Sequence, residues 1–404
     1  MALSNAYGQE ASSGPKVTIS GFGSAALTFT DADKAEFARP NQASGVGKSP
    51  RTGVDSNFGV QANVAVNDWL SATAQGLVRK DGADDYGAEL AWAFLKAKLS
   101  NELSVRVGRM GLPVFMISDY RNVGYANTML RPPAEMYAQV PINSIDGIDA
   151  TWQRSLGDTT VSAQLALGSS RTDNSGATGV SHTRISRLRA LNLVAEHGPL
   201  TVRLGRADGK LTVDDATSLN TLLSALRATG AGYRFPTLAP LADALGLQKK
   251  KASFTSAGMT LDWNNVLLQS EYAKRKTDSF VNDTNSWYLM AGYRIGKFLP
   301  YVNHATTKSV GRVANTVPAA CPPGFPAACT PTLRALSGGV EVLSAPVNQS
   351  TDSIGMRWDL YRSAALKVQI DRVRPKGNAG MLLNSAPGFT GPVTVGAVSL
   401  DFVF

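Results

Sequence analysis

The sequence predicts an all-β fold, a transmembrane antiparallel β-barrel of 16 strands. Three observations predict it. Apolar and polar residues alternate along many segments, short and long connections alternate between those segments, and aromatic residues stand near the ends that the short connections join. Alternation with period two places successive side chains on opposite faces of a strand. We therefore expect the apolar parity to face lipid and the polar parity to face a wet interior.

The segment VDSNFGVQANVAV, residues 54–66, shows this alternation. Val60, Ala62 and Val64 occupy one parity, and polar residues occupy the other. No helix produces that pattern. Asn67-Asp68 is a turn pair, and the run WLSATAQGLVR then resumes the alternation. The two segments together predict a hairpin with a tight turn.

The same pattern repeats along the chain, and we interpret it as an even number of strands. The predicted strands are 16–30, 54–66, 69–80, 86–99, 103–110, 146–154, 159–168, 185–196, 200–212, 252–263, 266–275, 286–295, 298–308, 349–359, 364–374 and 392–404. Every second connection is very short, and most of the others are long, which is uncommon in compact soluble domains. A soluble sandwich is the alternative. Tight turns on one side and long loops on the other favour an outer-membrane barrel with both termini on the short-turn side.

Composition agrees with this fold but does not identify a partner. Of the 404 residues 18% are charged and the formal net charge is +9, whereas average soluble proteins have about 25% charged residues. A basic excess suits nucleic acid, anionic lipid or an anionic solute, and it does not choose among them. No apolar stretch reaches the length of about 18 residues that a transmembrane helix needs.

The chain is interpreted as one barrel domain, residues 7–404, after a short leader. Residues 1–6 are expected to be a signal remnant or a cloning scar, because Ser4-Asn5-Ala6 has the small-x-small form of a cleavage site. Cys321 and Cys329 lie in the proline-rich stretch CPPGFPAAC. We expect them to form a disulfide if the loop is exposed in an oxidising compartment. Two unrelated thiols are the alternative.

Motifs that would indicate enzyme chemistry are weak. GFGSAA, residues 21–26, matches a dinucleotide fingerprint, but that motif requires a helix and the strand alternation continues through it. His182, His197 and His304 are far apart, so neither a zinc site nor a Ser-His arrangement is indicated. We expect no metal, no cofactor and no enzyme activity. A hydrolase built on the barrel is the enzyme alternative.

Several segments in order resemble the Gram-negative general porin family, and the resemblance extends over residues 17–404. They are VTISGFG, LSVRVGRMGLPVF, WYLMAGYRIGKFLPYV, RWDLYRSAALKVQIDRVR and the final Phe404. The resemblance implies a homotrimer in the bacterial outer membrane that passes small solutes and ions by diffusion. It implies periplasmic termini, contact with outer-membrane lipid and lipopolysaccharide, and no nucleic acid. It also implies that Phe404 is the signal read by the barrel-insertion machinery.

The third long connection, residues 111–145, is implied by the same resemblance to fold into the barrel as a constriction loop. Its own residues suit that position, because tyrosines are mixed with Asp119, Arg121, Arg131 and Glu135. Such a mixture is typical of a segment packed on a polar wall. A loop that covers the barrel mouth is the alternative.

Inward-facing charges are predicted from the strand parity. The predicted pore-lining residues on the strands are Arg79, Arg106, Arg203, Glu271, Arg275, Arg294, Arg357, Lys367 and Asp371. The repeated SVRVGR and TVRLGR segments are expected to place Arg106 and Arg203 at matching heights. Basic residues outnumber acidic ones in this set, which predicts a weak anion preference. A substrate-selective channel with a saturable site, or a surface adhesin or structural barrel, are the alternatives.

Overall fold

The computed structural model describes residues 15–82, 85–140, 142–176 and 179–404. Its strands form a closed antiparallel barrel in which each strand pairs with the next and the last pairs with the first. The strands are β1 Lys16–Thr30, β2 Asn57–Ala65, β3 Leu70–Lys80, β4 Tyr86–Lys98, β5 Leu103–Gly111, β6 Ser144–Leu156, β7 Thr159–Gly176, β8 Gly179–His197, β9 Leu200–Asp214, β10 Lys250–Trp263, β11 Val266–Thr277, β12 Asp283–Tyr293, β13 Phe298–Gly311, β14 Gln349–Tyr361, β15 Ala364–Pro375 and β16 Val393–Val403. The predicted 16-strand barrel is confirmed. The interpreted leader, residues 1–6, lies outside the described residues.

The barrel is apolar outside and polar inside. On β9 the outward Val202 and Leu204 are 41% and 53% exposed, whereas Arg203 between them points inward and is 5% exposed. A soluble sandwich buries its aliphatic residues instead. The exposed aliphatic residues therefore match a lipid-facing wall.

The seam between β1 and β16 closes through aromatic rings that lie over glycines. A Cβ on Gly21 would come within 2.3 Å of the Phe404 ring, and one on Gly23 within 2.5 Å of the Phe402 ring. Phe404 exchanges two main-chain hydrogen bonds with Gly21, of 2.9 and 3.0 Å. Only glycine leaves room for rings on this side of the seam. The terminal aromatics thus face outward and cover the junction.

Aromatic residues mark the two edges of the apolar band. At the short-turn end Trp69, Trp263 and Trp358 are exposed on the outer wall. Towards the long-loop end Tyr272 and Trp287 are direct partners on β11 and β12, and both are exposed. Such girdles are typical of membrane interfaces.

Helices at the long-loop end form a small apolar cap. They are α2 Thr217–Gly232, α3 Leu238–Leu245 and α4 Cys329–Leu343. Leu226, Leu238 and Leu333 are fully buried in their shared core. Cys321 and Cys329 are disulfide-bonded at the start of α4, with their Cα atoms 6.1 Å apart. None of the helices in the described part of the chain is long and apolar enough to span a membrane.

Candidate functional site

The third loop, residues 112–143 between β5 and β6, lies inside the barrel. Arg203 donates to the Pro113 carbonyl over 2.7 Å, and the Ser256 hydroxyl donates to the Val114 carbonyl over 2.8 Å. Both side chains belong to the inward parity of the wall. The loop also contains the short helix α1 Ala134–Tyr137. It therefore occupies the lumen instead of covering the mouth.

Glu271 on β11 is the centre of one attachment of this loop. Its carboxylate accepts hydrogen bonds from the Met116 amide over 2.9 Å, from the Tyr288 hydroxyl over 3.0 Å and from the Tyr137 hydroxyl. The Tyr137 ring packs on Phe115 with the ring centroids 4.7 Å apart. The Glu271 side chain is 1% exposed, and three donors satisfy its carboxylate. A charged group is buried at acceptable cost only when it is hydrogen-bonded in this way.

Lys367 on β15 holds the middle of the loop. Its ammonium group donates to the carbonyls of Gly124, Asn127 and Met129 over 2.7, 2.6 and 3.2 Å. The carboxylate of Asp401 lies 2.9 Å away. Lys367 is 0% exposed. One buried cation thus joins the loop to β15 and β16.

Arg357 and Glu135 complete the attachment on this side. Arg357 donates to the carbonyls of Tyr125 and Asn127 over 2.6 and 3.0 Å. Glu135, on α1, accepts hydrogen bonds from the side chains of Gln349 and Thr351 on β14. Burial raises the pKa of the Glu135 carboxyl, and these two donors oppose that shift.

Several predicted pore-lining residues do not line open water. Arg203, Glu271, Lys367, Asp371 and Glu135 are each 5% exposed or less. The strand parity was right, because the wall residues point inward. The expectation that they line the passage is wrong, because the loop packs over that half of the wall. Their charges are used to hold the loop.

A cavity beside the third loop is lined by an arginine cluster, which we define as Arg39, Arg79 and Arg121. Arg39 comes from the first long loop, Arg79 from β3 and Arg121 from the third loop, and all three line one cavity. Lys80 and Arg131 line it as well, and no Asp or Glu is among the described lining residues. Burial and the neighbouring Arg79 and Arg39 lower the pKa of Arg121 to about 9, so the group is charged at neutral pH.

Acidic groups also lie close to the cluster, and the buried Asp55 pairs with Arg131 over 3.3 Å. Glu89 pairs with Arg79 over 2.9 Å. Asp119 is exposed in the lumen. Enclosure in the barrel raises the pKa of the Asp119 carboxyl, and the charges of Arg106 and Arg203 oppose that shift. The passage is therefore bordered by both signs of charge, with the positive sign in excess.

The remaining predicted arginines have different partners. Arg106 forms an ion pair with Asp149, with an Nε to Oδ1 distance of 3.0 Å, whereas Arg203 supports the loop. The two are not an equivalent pair. Arg294 pairs with Asp262 over 2.8 Å near the short-turn end. Arg275 donates to the carbonyls of Gln139 and Asn282.

A closed 16-stranded barrel with an apolar outer band and a charged interior defines an outer-membrane channel. Residues 1–316 match the family model described as Gram-negative porin. The chain belongs to this family. It is an outer-membrane porin, and the resemblance inferred from its sequence is confirmed.

Solved structures of low sequence identity share the fold. OmpT of Vibrio cholerae in a trimer form has 11% identity and a TM-score of 0.52 over 97% of this chain and 100% of its own. The anion-selective porin of Comamonas acidovorans has 14% identity and a TM-score of 0.53 over 96% and 100%. OmpF of Salmonella typhi in complex with daunomycin has 12% identity and a TM-score of 0.54 over 97% and 98%. No curated protein sequence matches the chain.

The described residues contain no group of three or more His, Cys, Asp or Glu side chains placed to hold a metal ion. The histidines lie on the outside of the barrel or at its turns, as in the contact between His197 and Thr159. His304 contacts Asp352, and both are partly exposed.

Proposed function

We propose that this porin is a passive diffusion channel for small hydrophilic solutes and ions, with a weak preference for anions and no chemical step. The arginine cluster carries the proposal. Three guanidinium groups from three separate elements line one cavity, and arginine stays charged over the physiological pH range. An anion in this passage therefore meets an excess of positive charge.

The preference is expected to be modest. Two unit charges 4 Å apart interact by about 1 kcal/mol in bulk water and by about 4 kcal/mol at an effective dielectric constant near 20. Glu89 and Asp119 offset part of the attraction across the passage. Salt screens exposed charges beyond about 8 Å at physiological ionic strength. The preference should therefore fade at high salt.

Reversal potentials across a KCl gradient in planar bilayers test the preference. The wild-type channel should give the sign of chloride selectivity, and Arg79→Gln with Arg121→Gln should reduce it at least twofold. Lys274→Gln with Lys276→Gln is the matched control, because it removes the same number of charges and both lysines are exposed on the outer parity of β11. A cation-selective sign in the wild type would refute the proposal. Equal losses in the variant and the control would assign the preference to overall charge.

Liposome swelling separates general diffusion from the alternatives. Sugars of graded size should permeate in order of size. One favoured sugar would indicate a substrate-selective channel, and no permeation would indicate a plugged barrel with an adhesive or structural role.

We further propose that the channel is a homotrimer with its short turns and both termini in the periplasm. A trimer is the recorded form of one structural neighbour, and short periplasmic turns are general for bacterial barrels. Mass measurement in detergent should give three chains per particle. Protease added outside intact cells should cut the long loops and spare the turn at Asn264-Asn265.

A basic cleft on the outer wall supports contact with phosphate-bearing lipid such as lipopolysaccharide. It lies beyond the Tyr272 and Trp287 girdle and has a volume of about 720 Å³. Its charged lining residues are Arg187, Arg189, Arg206, Lys210, Lys251 and Lys276, with Asp208 and Asp278. Replacing Arg189, Lys251 and Lys276 by Gln should weaken binding of lipopolysaccharide to the purified protein at least tenfold. Unchanged binding would contradict this part of the proposal.

A further inference from the structure

An apolar pocket lies within the lumen on the long-loop side of the third loop. Its volume is about 210 Å³, and it is open on one side. The returning segment of the loop forms one wall through Val140 and Ile142. The inward faces of β8 to β11 form the other, with Ile185, Leu211 and Phe254 among the lining residues. Nearly all of its exposed lining atoms are carbon.

This lining departs from the rule that the lumen wall of a water-filled barrel is polar. Apolar surface left in water is unfavourable. Binding of an apolar ligand in the open hollow is therefore favourable, because it removes this surface from water. Leu211 and Val213 also contact the helical cap, and this contact explains why apolar residues occupy these two positions. It does not explain the hollow beneath the cap, where Val140 and Ile142 face them.

One positive charge borders the pocket. Arg275 lines it and donates its two Nη groups to the main-chain carbonyls of Gln139 and Asn282 over 3.1 and 3.0 Å. Among the described residues no carboxylate pairs with it at contact distance, although the charge of Asp283 acts on it, and its Nε has no hydrogen-bond partner. Asp208 is the one carboxylate among the lining residues, and it pairs with the outward Arg206 over 2.8 Å. The one carboxylate that lines the pocket is thus paired with another arginine and not with Arg275.

We propose that this pocket binds small monocarboxylates whose body is an aromatic ring or a short branched hydrocarbon. The hydrocarbon body fills the hollow, and the carboxylate lies towards Arg275. The pocket volume fits one ring and excludes a disaccharide. Binding here deepens the proposed function and rests on it, because the solute must first enter an anion-permeable channel. It gives the porin a saturable site in addition to free diffusion.

Block of chloride current in planar bilayers tests the pocket with defined probes. Sodium benzoate carries the ring and the charge, sodium acetate the charge alone, and benzyl alcohol the ring alone. Benzoate should reduce the current saturably, with a half-blocking concentration at least tenfold below that of acetate and of benzyl alcohol. Equal values for benzoate and acetate would overturn the proposal.

Two variants locate the site. Leu211→Asn makes the wall polar, and Ala252→Phe fills the hollow from β10, since Ala252 also lines it. Each should raise the half-blocking concentration of benzoate at least fivefold and leave that of acetate within twofold. The filled variant keeps the test decisive if the polar one does not fold. Benzoate block that survives in a folded variant would place the site elsewhere.

Failure of the pocket and failure of the proposed function give different results. A protein that forms no channel, or one with a cation-selective reversal potential, contradicts the proposed function whatever benzoate does. A chloride-preferring channel that benzoate and acetate block alike contradicts the pocket alone.

Discussion

Replacing Lys367 by Met should release the middle of the third loop from the wall. The change removes three donated hydrogen bonds, to the carbonyls of Gly124, Asn127 and Met129. It also leaves Asp401, 1% exposed, without its cation. Removing one partner of a buried ion pair typically costs 3 to 5 kcal/mol. If about 3 kcal/mol of that cost acts on the loop, the equilibrium constant for opening of the loop rises roughly 100-fold.

Hydrogen exchange of the folded protein in lipid measures this opening. Amides of residues 123–130 should exchange about 100-fold faster in Lys367→Met, whereas the strands away from the β15–β16 seam should keep their protection. Lys274→Met is the control, because that lysine is exposed on the outer wall. Exchange in residues 123–130 that equals the wild-type rate in a folded Lys367→Met barrel would refute the view that Lys367 secures the loop.

Three further perturbations have defined outcomes. Replacing Cys321 and Cys329 by Ser should lower the local stability of residues 312–348 by at most about 2 to 3 kcal/mol. Protease should then cut these residues faster, and an unchanged cleavage rate would contradict the prediction. Chloride preference should rise as pH falls from 7 towards 4. The pKa of the Asp119 carboxyl is raised, so Asp119 loses its negative charge at a higher pH than an ordinary aspartate does. Reversal potentials of Asp119→Asn should lack the part of the rise that Asp119 causes. Deleting Phe404 should lower the amount of barrel inserted in cells, measured in isolated outer membranes, and a wild-type amount would contradict the prediction that Phe404 acts as an insertion signal.

The barrel could be predicted because each strand carries its own signal. The parity of β1 runs from Lys16 to Thr30 with Phe22 and Ala26 as its apolar inward exceptions, and the predicted and observed bounds of that strand coincide. β7 is longer than predicted, since a register shift between Gly168 and Ser170 interrupts the alternation where the predicted strand ends. β8 also begins earlier than predicted, at Gly179. The helix α2 has a clear 3.6-residue period. The helices α3 and α4 were not predicted from the sequence.

The use of each inward residue could not be predicted from parity. Glu271 and Arg79 have the same parity and polar character in the sequence, yet one is buried under the third loop and the other borders the passage. The difference depends on the path of the loop, which results from contacts between residues more than 100 positions apart. Arg39 was not predicted for a related reason. It lies in a long loop, where no alternation of apolar and polar residues indicates which way a side chain points.

The most direct test of the account is the single-channel conductance of a folded variant that lacks residues 119–135. These residues lie inside the barrel between the attachments at Met116 and Tyr137. We expect a stable barrel with a conductance clearly above that of the wild type, and a weaker chloride preference because Arg121 is removed. A correctly folded deletion variant with wild-type conductance would contradict the claim that the third loop narrows the channel.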